Sequence, residues 1–480
     1  MDLKKDSPKE ECGVLGIFAP GEDVARMAFF GLFALQHRGQ EAAGLAVSDG
    51  QVIRLQKDVG LVSQVFDPQT ISKMEGNYAI GHTRYSTTGS PSARNAQPFM
   101  IDTQYGTISL AHNGNLLNAA ELRTQLMQQG VGMSSTSDTE VMIMTLACSK
   151  GDTWFDRIRD AIQHWVGAYS LVLLTRDQVF AVRDPWGFRP LSVGMMPNGG
   201  GHVASSEFGA LHTLGCIACR EVLPGEIVSL SDKALTVYQA LKPQSETALC
   251  TFEHIYFSRP DNTWGGRNIH QVRQQLGSNL AKEWPVDADV VIPIPDSSIP
   301  AAIGYANESG IPYNDGFIKN RYIGRTFIEP TDSLRKQGVA LKYNVIMENV
   351  LNKRVVMVDD SIVRGNTTGP LIQLLKQAGA KEVHVRITCP PIMHPCYMGV
   401  DMGTREELIA ANNTISEICR LVGADSLAYL SLEKMMAAIG TDKGYCNACF
   451  TGKYPLSVPV GINKNGFEMP IDTQQGAAKL

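Results

Sequence analysis

The stretch from 353 to 391, "KRVVMVDDSIVRGNTTGPLIQLLKQAGAKEVHVRITCPP", constrains the fold more than any other part of the chain. It starts as an apolar, β-branched run that predicts a buried strand. "GPLIQLLKQAGAK" (369–381) follows as a helix with a glycine-rich stop, and "KEVHVRITCPP" (381–391) starts as a second strand. Strand, helix, strand in this order is a βαβ unit, which joins parallel strands. "DVVIPIPDSS" (289–298) begins as a strand of the same kind. The second half of the chain is therefore predicted to hold a parallel sheet of the α/β class.

The first half follows a different grammar. Residues 12 to about 235 read as short strands with one or two helices. "VARMAFFGLFALQHRG" (24–39) is too apolar for a surface helix and predicts a buried one ending at Gly39. "AAELRTQLMQQG" (119–130) is an amphipathic helix with a glycine stop, and 169–196 is β-rich. The polar stretch "LKPQSETALCT" (241–251) is the expected boundary. A chain of 480 residues, 44% hydrophobic, has the length for two such domains. With 43 basic and 48 acidic residues it is no general nucleic-acid or membrane-surface binder. The start, MDLKKDSPKE, lacks the apolar core of a signal peptide, and no apolar run reaches membrane-spanning length. Ten cysteines in such a chain are expected to be reduced thiols, which places it in the cytoplasm.

The loop inside the βαβ unit carries chemistry. The strand ends in Asp359 and Asp360, and a Ser/Gly/Asn/Thr loop leads into the helix. Open α/β sheets bind ligands at the carboxyl ends of their strands. Free backbone N–H groups and hydroxyls at the helix start favour an anion, while two carboxylates suit vicinal hydroxyls or a hard cation. A sugar phosphate answers both demands; a bare Asp-Asp in a solvated turn would answer neither. The string resembles the phosphoribosylpyrophosphate (PRPP) signature of type I phosphoribosyltransferases. The resemblance implies that Asp359 and Asp360 face the ribose and Mg2+, and that Asn366, Thr367 and Thr368 hold the 5-phosphate. It also implies that "PDSS" (295–298) is a pyrophosphate loop with Ser297 near the metal. Lys319, Arg321 and Arg325 then belong to a segment that closes over substrate.

"KKDSPKEECGVLGIF" (4–18) sets a cysteine at the junction between a charged tail and an apolar strand. A free α-amine titrates near ~8, so a cysteine at a mature N-terminus carries its own base. Otherwise Cys12 is a buried thiol, the commoner fate of a cysteine. With "LQHRGQEAAG" (35–44), "GHTRYSTTG" (81–89), "AHNGNL" (111–116) and "SSTSDTE" (134–140), the set resembles class II, N-terminal-nucleophile glutamine amidotransferases. That resemblance implies an α+β sandwich, with Cys12 as nucleophile and residues 1–11 as a propeptide. Asn113 and Gly114 would form the oxyanion hole, Arg84 would take the glutamine carboxylate and Asp138 its ammonium.

A glutaminase over 12–240 followed by a phosphoribosyltransferase over 251–480 is similar to the PRPP amidotransferases. That likeness implies glutamine and PRPP as substrates, ammonia passed internally to PRPP, and phosphoribosylamine as product. It also implies inhibition by purine nucleotides and a homo-oligomer. The "CxxC" at 446–449, with Cys250 and Cys396, fits zinc, iron–sulfur or unrelated thiols by spacing alone. The subgroup with a propeptide implies a [4Fe–4S] cluster on Cys250, Cys396, Cys446 and Cys449. Cys216 and Cys219 match no ligand of that subgroup and are expected to be structural; Cys148, Cys389 and Cys419 are expected in the core. Two rival readings stand beside this one. A PRPP-sensing regulatory protein predicts a DNA-binding module and a decayed Cys12 constellation. A glutaminase feeding another acceptor leaves "VVMVDDSIVRG" without a purpose.

Overall fold

The computed structural model describes residues 12–85, 92–231, 235–320, 342–402, 404–440 and 444–459. Among these, the first half forms two stacked antiparallel sheets. One runs in the order Ile217–Glu221, Ser192–Met195, His202–Ser205, Gly13–Phe18, Tyr78–Arg84, Ala42–Ser48, Ile53–Val59. The other runs Leu235–Gln239, Glu226–Leu230, Val179–Arg183, Gly167–Leu174, Gly106–Leu116, Phe99–Thr103.

The strand Gly13–Phe18 is buried at every position, which is why its sequence shows no alternation. Val14 and Phe18 meet Ala111, Val172 and Val179 of the other sheet. Leu15 and Ile17 face the other way, onto the helix Val24–Ala34. Helices Ala119–Gln128, Asp138–Cys148 and Trp154–Ile162 cover the far face of the second sheet. The result is the expected α+β sandwich, helix, sheet, sheet, helix.

The helix expected over 24–39 stops at Ala34, and turns carry the chain to Gly39. It is also only half buried. Val24, Ala25, Ala28 and Leu32 pack inward, while Phe30 and Phe33 are 50% and 55% exposed. One sheet face takes one stripe of a helix, and here the opposite stripe happens to be aromatic.

The second half holds a parallel sheet ordered Val290–Pro293, Arg354–Asp359, Glu382–Ile387, Ser426–Tyr429. The helix Thr368–Gln377 makes the crossover between the second and third of these. The fourth strand had no sequence signal of its own. The first three strands bury Val, Ile and Met, and the fourth Tyr429, in one core with helices Ile269–Glu283 and Ile299–Ser309. Because Val290–Pro293 and Arg354–Asp359 run parallel side by side, their carboxyl ends deliver residues 295–298 and 359–368 to the same rim. Across the two halves, Ala248–Cys250 pairs in parallel with Gly444–Cys446, setting Cys250 opposite Cys446.

Candidate functional site

Cys12 precedes the central strand of the first sheet and is 6% exposed. Its thiol donates to the Tyr85 carbonyl at 3.4 Å, and its own carbonyl accepts from Arg38 Nε at 3.1 Å. Gly13 pairs with Thr83, so Cys12 lies alongside the end of the strand that finishes in Arg84. His82 Nε2 donates to the His112 carbonyl at 3.1 Å and ties that strand to the one carrying Asn113 and Gly114. The Asn113 Nδ2 is buried and has no hydrogen-bond partner among the described residues. Gly114 has φ +148°, and a Cβ there would sit 1.9 Å from the Ala168 carbonyl oxygen; only glycine fits. Asp138 opens its helix, accepts from Leu116 N–H at 3.1 Å and lies 3.9 Å from His112 Nδ1.

Burial pushes His82 down to about 3, and it also lowers His112 despite the opposing charge of Asp138. Both rings are therefore neutral and poor bases near neutral pH.

At the other rim, Ser297 Oγ donates to Asp360 at 2.6 Å and Ser298 Oγ to Asp359 at 3.1 Å. Burial raises Asp360 above the usual carboxylate range, against the pull of the Ser297 and Ser361 hydroxyls and of Arg273. Lys319 pairs with Asp296, beside Ser297. Asn366 and Thr367 precede the helix Thr368–Gln377, whose N-cap is Thr367. Arg321 and Arg325 lie outside the described residues.

Cys250, Cys396, Cys446 and Cys449 share one neighbourhood. Burial first, then the nearness of Cys250, Cys446 and Cys396, drives the Cys449 thiol well above its ordinary range. Cys446 is pushed up to about 12 by burial, with Cys396 beside it. The donor set is all sulfur in an apolar setting, which fits a soft iron–sulfur cluster better than a hard cation. Among the described residues, however, no three His, Cys, Asp or Glu side chains stand as a ready metal-binding group. Cys389 is in the core and Cys216 is buried beside an edge strand; Cys148 is exposed rather than in the core, and Cys419 only half buried.

Sequence reasoning passed over the charged network between the halves. Arg38 donates to Glu207 at 2.6 Å and to both oxygens of Glu253 at 2.8 and 3.0 Å. Arg189 reaches Glu253 at 3.2 Å, and Asn262 donates to Glu207. Arg38, Glu207, Glu253 and Arg189 are all fully buried. Arg273, lowered to about 10 by burial, feels the opposing charges of Asp360, Glu207 and Glu253. The signal was present in "LQHRGQ" and "CTFEHIYFSRPD", which mix charge with apolar residues, but neither string says that the two meet.

A family model described as a glutamine amidotransferase domain matches residues 82–213. An amidophosphoribosyltransferase of Synechococcus elongatus is 46% identical over 468 residues, covering 96% of this chain and 94% of the relative. The chain belongs to the amidophosphoribosyltransferase family. An amidophosphoribosyltransferase of Archaeoglobus fulgidus is 49% identical over 457 residues, covering 93% of this chain and 98% of that one. The solved glutamine PRPP amidotransferase from B. subtilis, complexed with ADP and GMP, matches at a TM-score of 0.88 and 44% identity. It covers 94% of this chain and 99% of its own. A structure described as the allosteric regulatory enzyme of purine biosynthesis matches at 0.90 and 44%, covering 96% and 100%. This amidophosphoribosyltransferase is thus an enzyme of purine synthesis, with a glutamine amidotransferase half and a phosphoribosyltransferase half.

Proposed function

We propose that the chain hydrolyses glutamine at Cys12 and delivers the ammonia within the molecule to PRPP held at Asp359 and Asp360. The observation that carries this is the pair of rims just described, joined in one chain by buried charges. We divide it into a propeptide (1–11), a glutaminase (12–240) and a phosphoribosyltransferase with the cysteine segment (251–480). Removal of the propeptide frees the Cys12 amine, which takes the thiol proton. Burial makes His82 and His112 weaker bases than a free imidazole, which supports the amine in that role. The thiolate adds to the glutamine amide carbon, and Asn113 Nδ2 with the Gly114 N–H holds the resulting oxyanion. Arg84 and Asp138 orient the substrate's carboxylate and ammonium. Ammonia leaves, water cleaves the thioester, and glutamate departs.

At the second site ammonia attacks C1 of PRPP and pyrophosphate leaves. Asn366, Thr367 and Thr368 anchor the 5-phosphate, and Lys319 and Arg321 serve the pyrophosphate side. Asp359, Asp360 and Ser297 would hold Mg2+, which supplies positive charge to the departing pyrophosphate. Burial raises Asp360, so a cation placed beside that carboxylate would be favoured. Cys250, Cys396, Cys446 and Cys449 would hold a [4Fe–4S] cluster that ties the C-terminal segment to the strand Ala248–Cys250. Purine nucleotides share a 5-phosphate with PRPP and would compete at the Asn366–Thr368 cradle; we expect a cytoplasmic homo-oligomer. The rival regulator and the glutaminase with another acceptor leave one of the two rims idle.

The test is glutamate release with glutamine alone and with PRPP added. PRPP should stimulate release and yield phosphoribosylamine; release without any PRPP-derived product would overturn the reading. Anaerobically purified protein should be brown and contain iron and sulfide, whereas colourless protein with stoichiometric zinc would remove the cluster.

A further inference from the structure

The oxyanion strand is not supported by the glutaminase half alone. A turn from the other half, residues 397–399, lies directly against it. Asn115, one residue past Gly114, donates through Nδ2 to the Tyr397 carbonyl at 2.9 Å. Gly399 has φ +103°, and a Cβ built there would lie 3.0 Å from both Cα and the carbonyl carbon of Gly114. Backbone thus stacks on backbone at the one residue whose N–H is assigned to the oxyanion. Leu117 and Ala168, which flank that strand, pack in a single apolar cluster with Met398, and Cys396 and Cys446 border it. The Ala168 carbonyl in turn accepts from His112 Nε2 at 3.3 Å.

The turn is itself anchored at both ends. On its N-terminal side Met398 N–H donates to Cys396 Sγ at 3.3 Å, and Tyr454 OH donates to the Pro395 carbonyl at 2.6 Å. On its C-terminal side the chain reaches the phosphate loop: Glu407 pairs with Arg364 at 2.7 Å, and Ile409 N–H donates to Val363 O at 2.9 Å. A donor worth its full effect must be fixed to a fraction of an ångström before the charge develops.

We propose that the 397–399 turn is the back wall of the glutaminase oxyanion hole, with Gly399 and Asn115 as its positioning residues. Neither touches glutamine; both act through Gly114. The proposal rests on the assignment of Asn113 and Gly114 as the hole. The φ of +103° already favours glycine, and the contact adds a second reason: a Cβ there would make the Gly114 peptide give by a few tenths of an ångström.

The experiment uses the full-length processed enzyme and two inhibitors. Glutamate γ-semialdehyde, the aldehyde analogue of glutamine, gains a bond from Cys12 Sγ to its carbonyl carbon. Its oxygen becomes the anion, or hydroxyl, that the hole must hold. Glutamate makes no such bond and reports ground-state binding alone. In Gly399→Ala, aldehyde affinity and glutamine kcat should fall about tenfold or more, since a misplacement near 1 Å costs on the order of 10²-fold. Glutamate affinity and ammonia-dependent phosphoribosylamine formation should stay within about twofold of the parent. Asn115→Ala should shift the same two quantities less, in the same direction, and covers the case in which Gly399→Ala does not fold. Equal loss of aldehyde and glutamate affinity, or no loss of either in both variants, overturns the proposal. Asn113→Ala is the control on the underlying assignment: if it spares aldehyde binding, the hole itself is misplaced. If it weakens binding while Gly399→Ala and Asn115→Ala do not, only the back wall is wrong.

Discussion

A buried amide with no hydrogen-bond partner among the described residues, Asn113 Nδ2, is an unusual thing for a folded chain to keep. It makes sense as a donor reserved for a charge that appears only during reaction. Replacing Asn113 with Ala should lower glutamine kcat by about 10²–10³-fold while KM changes little, measured as glutamate release in the presence of PRPP. A rise in KM with kcat intact would mean that it binds ground-state substrate instead. The histidines give a second expectation. Burial pushes His82 down to about 3 and also lowers His112, so both are weaker bases than a free imidazole. Glutamine kcat/KM should therefore rise through the pKa of the Cys12 amine, near ~8, as that amine loses its proton. It should show no histidine limb between pH 6 and 7; such a limb would hand the base role to an imidazole. At this scale Cys12, Asn113 and Asp138 are candidates the sequence itself offers, because each sits in a short string of chemically committed residues. Arg38 and Glu253 were not readable, since their meaning lies in a contact 215 residues apart.

Strands and turns are where the sequence spoke most clearly and where its silences have physical causes. The βαβ unit was legible because buried parallel strands are continuous apolar runs with a helix of fixed period between them. The strand Ser426–Tyr429 was missed because four residues carry no periodicity. The helix at 24–34 was judged buried because apolar composition does not say which stripe meets the sheet. Between elements, the buried charges make a sharper prediction. Arg38, from the turn after the first helix, neutralises Glu207 and Glu253 together. Arg38→Ala leaves buried Glu207 with His37 and buried Glu253 with Arg189 as their remaining ionisable partners, and removal of one partner of such a buried network typically costs up to about 3–5 kcal/mol. The urea midpoint of the glutaminase transition should fall accordingly. A midpoint within experimental error of the parent would mean that the network is solvated and does not join the halves.

Taken whole, the molecule sets its two candidate sites on unrelated sheets, an antiparallel sandwich and a parallel sheet. Their separateness follows from the fold: the nucleophile's strand and the Asp359–Asp360 rim share no sheet. The homo-oligomer rests on the family resemblance alone, because an exposed surface such as Phe30 and Phe33 does not name what covers it. The central claim, one chain with two separable chemistries, is tested most directly by Cys12→Ala assayed with both nitrogen donors. With glutamine the variant should form no phosphoribosylamine, while with ammonium chloride it should turn over PRPP at close to the parent rate. Glutamine-dependent product from the variant, or loss of the ammonia reaction in protein that is correctly folded, would contradict the account.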